Sequence, residues 1–324
     1  MKPLGSLSLD LDNEWAYIKT HGDPAWESFP SYLDIVVPRF LDVLDRLGQR
    51  ITVFVVGQDA ALEKNRTALR SIAAAGHEIG NHSFHHEPWL QRYSLEEIER
   101  EIASATDAIA DATGVRPVGF RGPGFSLSEA TLETLVAHGY RFDCSTFPTY
   151  IGPLARAYYF MTAKLTPEER AERKELFGGM RDGLRPLRTY HWSLPGGRTL
   201  LEIPVTTFPI LKIPIHFSYL LYIATIAPWL ALPYFRLALW TCRIVGISPS
   251  LLLHPLDFMD GNDVATLAFF PAMQMPLARK LAVLEGALRI YRSIFEVVPV
   301  GEHAAAIERE GAAIKRGVVP QFGV

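Results

Sequence analysis

Polar and apolar residues alternate over residues 6–11, the period of a strand with one face buried. Residues 33–47 follow a helical period and run into Gly48, a natural stop. The run ITVFVV at 51–56 is β-branched and aromatic throughout, the mark of a strand covered on both faces. Residues 60–75 read as helix again and end at Gly76. The clearest helix opens on a capping box, Ser94 with Glu97. It carries Leu95, Ile98, Ile102, Ala105, Ile109 and Ala112 at three- and four-residue steps and closes at Gly114. A strand at 118–121, a helix at 128–138 and a strand at 140–145 follow. Later strands are expected at 200–205, 250–253 and 295–298, with a long helix over 277–294 between the last two.

Strands that alternate with helices predict parallel βαβ units. With about seven of them, a closed barrel is expected rather than an open sheet, with its chemistry at the C-terminal strand ends. One domain over 1–324 accommodates the chain, with two insertions before the last strands. The first, 147–198, contains a helix opened by Thr166, Pro167 and Glu169; the second, 207–249, is rich in apolar and aromatic residues.

Composition narrows the function. The 324 residues are 48% hydrophobic, enough for one large core. Charge is nearly balanced, 32 basic against 35 acidic residues, which argues against a nucleic-acid partner. Cys144 and Cys242 form neither a CxxC pair nor a disulfide framework, and the opening MKPLGSLSLDLDNEW has no apolar signal core. A cytoplasmic protein is expected.

Asp10 and Asp12 stand two apart at the end of the first strand and would face one side; such carboxylates repel unless a cation or proton relieves them. In GNHSFHHEPW, His82 and His86 are four apart, the spacing that puts two imidazoles on one side of a helical turn for a single metal. His85 lies between them, so spacing alone does not choose the pair. His77, Glu78 and His82 miss the HExxH zinc motif by one residue. Arg121 ends a strand in FRGPGFS, Asp143 another in RFDCST, and His254 a third in LLLHPLDF. Each has a plain structural reading as a capping, ion-pairing or core residue. Together they fall where a barrel would gather them into one mouth.

These segments resemble the polysaccharide-deacetylase (NodB-homology, carbohydrate esterase family 4) superfamily. SLDLD is similar to the family's first motif, HSFHH to its H[ST]xxH, RGPGF to its third motif and LLLH to its last, in family order from residue 8 to 254. The resemblance implies a distorted (β/α)7 barrel and a divalent metal held by Asp12, His82 and His86. The metal is most often Zn2+, with Co2+, Ni2+ or Mn2+ as alternatives. It further implies Asp10 as general base, His254 as general acid, Arg121 orienting Asp10 and Asp143 tuning His254. Trp15, Tyr17, Pro123 and Phe125 become candidates for substrate contact, since aromatic faces stack on sugar rings. The implied activity is removal of an N-acetyl or N-formyl group from an amino sugar. A soluble oligosaccharide or small non-sugar amide is the alternative substrate.

Residues 213–235 carry no charge, a length that could cross a bilayer were it not for Pro214, Pro228 and Pro233. An interfacial segment beside the site, or a packing or homodimer surface, fits the barrel better than a span. Arg181, Arg185, Arg188 and Arg198 precede it and could meet phosphate. The two features suggest a glycolipid substrate at the inner membrane face and a peripheral membrane contact through 213–235.

Overall fold

The structure, a computed structural model, describes residues 2–152 and 180–310. The helix expected after Thr166 and the side chain of Arg181 lie outside the described residues. The first half of the chain contains β1 (Leu4–Leu11), α1 (Glu14–Thr20), α2 (Leu33–Arg46), β2 (Thr52–Val55), α3 (Gly57–Ala61), α4 (Arg66–Ala74), β3 (Glu78–Asn81), α5 (Leu95–Thr113), β4 (Gly119–Phe120), α6 (Glu129–Ala137) and β5 (Phe142–Asp143). The second half contains β6 (Tyr190–Ser193), β7 (Thr199–Glu202), α7 (Phe217–Ile226), α8 (Pro228–Ile244), β8 (Ser250–Leu253), α9 (Leu277–Ile294), β9 (Glu296–Val298) and α10 (Val300–Arg309).

The strands form one nine-stranded sheet in the order β6-β7-β5-β4-β3-β2-β1-β8, with β9 also on β1. From β7 to β8 every neighbour is parallel; β6 is an antiparallel edge. Just past β7, the Thr206 N–H donates to the Ser250 carbonyl at 2.9 Å, joining the two ends of the parallel path. The result is the distorted (β/α)7 barrel expected from the sequence.

The alternation in β1 sorts its residues. Leu7, Leu9 and Leu11 join the large core beneath α2, α8 and α9, while Ser6, Ser8 and Asp10 are buried polar positions of the opposite parity. Phe54, Phe142, Cys144, Leu201 and Ile203 form a separate buried cluster closed by Val300 and Ala304 of α10. Truncating either Phe to Ala would cost about 3–5 kcal/mol.

One expectation changes. The helix read over 60–75 is two helices, because Leu62 is extended and Asn65 is buried against Asp59 by way of Nδ2. The uncharged stretch 213–235 is interrupted, as its prolines led one to expect. It breaks at Ala227, whose φ and ψ are −136° and 76°, and Pro228 starts a new helix. Among the described residues no helix is long and apolar enough to cross a membrane.

Candidate active site

β1 sits between β2 and β8, with β3 beyond β2, so the ends of these strands converge. Asp12 lies just past β1, His82 just past β3 and His254 just past β8. The ligand atoms of Asp12, His82 and His86 all lie within 4.8 Å of one another. His86 Nε2 is 3.0 Å and His82 Nε2 3.3 Å from the same oxygen, Asp12 Oδ1. Burial pushes the Asp12 carboxyl up, but His86 and His82 outweigh it and hold it well below the usual range.

The orientation of His82 is fixed from behind. Its Nδ1 lies 2.6 Å from the Arg121 carbonyl, which can only accept, so Nδ1 carries the proton and Nε2 keeps its lone pair for the site. The turn bearing His86 is not the helical turn that the spacing suggested. Ser83 and His86 take positive φ values of 61° and 55°, and the Asn81 side chain accepts from the Ser83 N–H. His85 is turned away from the cluster: its ring and its backbone N–H both bond Glu101 of α5. Geometry thus selects His86 over His85. Three donors of the nitrogen and carboxylate type, one locked in the required tautomer, fit a divalent cation with a coordination position left over.

Arg121 is fully buried; its Nη1 reaches Asp10 Oδ1 at 2.5 Å and Ser8 Oγ at 2.8 Å. Its Nε donates to the Cys144 carbonyl, and its guanidinium stacks over Phe54 at 4.4 Å. The RGPGF turn that follows needs its glycines. A Cβ on Gly122 would lie 2.0 Å from the Ser126 carbonyl oxygen, and Gly124 has φ 57°. Pro123 is buried within this turn, and Phe125 stacks on Phe147 at 4.8 Å.

The remaining expectations divide. Asp143 does not meet His254. Its carboxylate accepts from the Ser145 hydroxyl and N–H, and it pairs with Glu202 of β7. Burial raises both acids, Glu202 well above its usual value, and the Asp143 charge adds to the rise of Glu202. The partners of His254 are Ser218 and Asp257. Ser218 Oγ lies 3.0 Å from His254 Nδ1 and donates to Asp257 Oδ1 at 2.9 Å, while Asp257 Oδ2 accepts from the His254 backbone N–H.

Trp15 is 1% exposed and cannot stack on a sugar. Its indole N–H donates to Asp59 and its ring packs edge-on against Phe29. Tyr17 does reach the site, its phenol held high by burial and then by the Asp12 charge. It packs against Phe270, while His21 packs against Phe269 and Phe270; both phenylalanines lie on a loop that the sequence did not single out. Three of the four arginines of the cluster make contacts with the protein. Arg185 pairs with Asp182, Arg188 donates to the Val245 carbonyl, and Arg198 pairs with Glu133.

Asp257 had a legible signal, an acid three residues after a strand-end His, the spacing of a capping contact. Ser218 and His216 had none, lying inside an apolar run. His216 is buried with Nδ1 unpartnered, its ring 5.8 Å from that of His254. Burial, then His254 and Arg121, hold its imidazole well below the usual range and therefore neutral.

Part of the chain is similar to known proteins. Residues 25–142 match the polysaccharide deacetylase family model, a span that includes His82, His86 and Arg121 but not Asp10, Asp12 or His254. A peptidoglycan deacetylase of Helicobacter pylori is 30% identical over 112 residues, 35% of this chain and 37% of that protein. A peptidoglycan-N-acetylglucosamine deacetylase of Bacillus cereus is 26% identical over 141 residues, 44% of this chain and 62% of that protein. The chain thus matches less than two thirds of either relative's length. A crystal structure from Mycobacterium smegmatis, itself provisionally assigned as a polysaccharide deacetylase, superposes with TM-score 0.64 at 19% identity, covering 99% of this chain and 95% of that one. The likeness establishes the shared fold.

Proposed function

Because this chain carries the polysaccharide-deacetylase region on the matching barrel, we propose that it is a metal-dependent hydrolase removing an N-acetyl or N-formyl group from an amino sugar. The observation that carries the reading is the convergence of Asp12, His82 and His86 beside the buried Asp10–Arg121 pair. A divalent cation there, Zn2+ by donor type, supplies a Lewis acid able to lower the pKa of water from roughly 15.7 to about 7.

The residues of the chain then divide the proton work. Asp10, oriented by Arg121, takes a proton from the attacking water. The amide C–N bond breaks after water adds, releasing the acyl group as a carboxylic acid and the sugar as an amine. An amine leaves poorly without a proton, and His254, on the other side of β1 from His82, supplies it. General acid–base help of this kind is worth about 10²–10⁴-fold per group. Ser218, itself bonded to Asp257, holds Nδ1 of His254 and so sets its ring orientation. Tyr17 and Phe125 are the substrate-contact candidates that remain at the mouth.

A lipid-linked glycan is the more specific substrate reading. Its support is that α7, which supplies Ser218 to the site, ends in Ile226, 72% exposed beside Trp229, 78% exposed. The test is mass spectrometry of bacterial glycolipids and of N-acetylated chito-oligosaccharides incubated with zinc-loaded protein, beside chelator-treated and Asp10→Asn controls. Loss of an acyl group from either substrate with active protein alone supports the hydrolase, and the responding substrate decides between lipid-linked and soluble glycans. Equal products in all three samples would overturn it.

A further inference from the structure

The outer face of α8 has a composition that the barrel does not need. Trp229, Pro233, Leu237, Trp240 and Ile244 recur at steps of three and four, one stripe along the helix. Trp229 is 78%, Leu237 59%, Trp240 46% and Ile244 80% exposed, while Ala231, Phe235, Ala238, Leu239 and Cys242 of the opposite face are buried in the core. The inner stripe accounts for the helix's packing; the outer one has no partner among the described residues. Soluble surfaces scatter such side chains singly, so a continuous stripe calls for an occupant.

Charge says which occupant. From residue 203 to 256 the sequence has no Asp or Glu, and its cations are Lys212, Arg236 and Arg243. Arg236 and Arg243 are exposed and flank the stripe, with Arg243 stacked 5.4 Å from the Trp240 ring. Arg188, also exposed, holds the C-terminal end of the helix through the Val245 carbonyl. A second copy of the chain docked on this face would set these arginines against their own equivalents with no carboxylate from the segment between them. An anionic bilayer supplies the missing countercharge, and tryptophans with flanking arginines are the side chains that settle at a headgroup boundary.

We propose that α8 lies flat in the surface of an anionic phospholipid bilayer, with its Trp229–Leu237–Trp240–Ile244 stripe inserted. Ser218, the partner of His254, lies in the first turn of α7, and Trp229 of the stripe follows the other end of that ten-residue helix, which is about 15 Å long. The proposal concerns where the protein docks and stands whether or not the deacylase reading holds.

The experiment is co-sedimentation of the full chain with vesicles of phosphatidylcholine alone or mixed with phosphatidylglycerol. Binding to the anionic vesicles, weakened by salt, is expected. The combined variant Trp229→Gln, Leu237→Gln, Trp240→Gln, Ile244→Gln should bind more than about tenfold less with an unchanged circular dichroism spectrum. The milder Arg236→Gln, Arg243→Gln variant, which leaves the four apolar side chains of the stripe in place, should also bind less to anionic vesicles and gives a reading if the first variant fails to fold. Wild-type protein that sediments with neither vesicle would overturn the proposal. So would a wild-type dimer in sedimentation velocity that the variants lose, since the stripe would then be a contact between copies.

Discussion

The Arg121 carbonyl accepts from His82 Nδ1 at 2.6 Å while the Arg121 guanidinium holds Asp10 Oδ1 at 2.5 Å. One residue therefore orients a candidate metal ligand with its main chain and the candidate base with its side chain. The two functions can be separated by mutation, because a substitution removes only the second.

Arg121→Met should keep zinc stoichiometry, since the carbonyl that fixes His82 remains. It should lose about 3–5 kcal/mol of stability by leaving Asp10 as a buried carboxylate without its cation. Turnover should fall by roughly 10²-fold or more through misplacement of the base. Denaturant unfolding and metal analysis on the same preparation check both; loss of zinc alongside activity would mean that the side chain also shapes the metal site.

The two neighbouring histidines give a sharper contrast. His86→Ala removes a ligand from the Asp12 cluster and should abolish stoichiometric zinc. His85→Ala loses only its contacts with Glu101 and should retain zinc. Isothermal titration of chelator-treated protein with zinc reads the difference. Equal affinities in the two variants would sink the ligand assignment.

Much of this was legible from local pattern. The alternation of β1 put Asp10 on the inner parity, and the strand–helix rhythm predicted the barrel because each element's period reflects which side it buries. What failed depended on partners distant in sequence. Trp15 looked like an exposed sugar platform, yet its indole N–H is consumed by Asp59, 44 residues away. Asp143 looked like a partner for His254, but that place is filled by Ser218, whose spacing of 36 residues crosses an apolar run with no polar pattern to mark it. The HSFHH turn was misread as helical because its shape rests on two left-handed residues and on Asn81, and a four-residue spacing does not reveal those.

The Ser218–Asp257 support predicts a graded series. Ser218→Ala should reduce turnover by about tenfold with KM little changed, and Asp257→Asn by more, both within the range ascribed to general acid–base groups. Asp143→Asn should reduce turnover less than either, since its carboxylate bonds Ser145 and Glu202 instead of the His254 support. A turnover loss confined to Asp143→Asn would restore the role that the sequence suggested for it.

Asp59 predicts a dependence of stability on pH. It is 1% exposed, with Asn13, Trp15 and Asn65 all donating to Oδ1 and Oδ2 left unpartnered. Burial raises its carboxyl from 3.8 to about 7, against the hydrogen bonds from Asn13 and Trp15 and the charge of Lys64. The folded state therefore holds this proton more tightly than the unfolded chain. The stabilisation is complete below pH 3.8 and is lost progressively as pH rises toward 7, by as much as about 4 kcal/mol. Asp59→Asn keeps an oxygen for the three donors and cannot ionise, so metal-free variant protein should unfold with a flatter pH profile between pH 4 and about 7. Urea titrations at several pH values measure this. A wild type and variant with parallel profiles would show that Asp59 carries the same charge in both states.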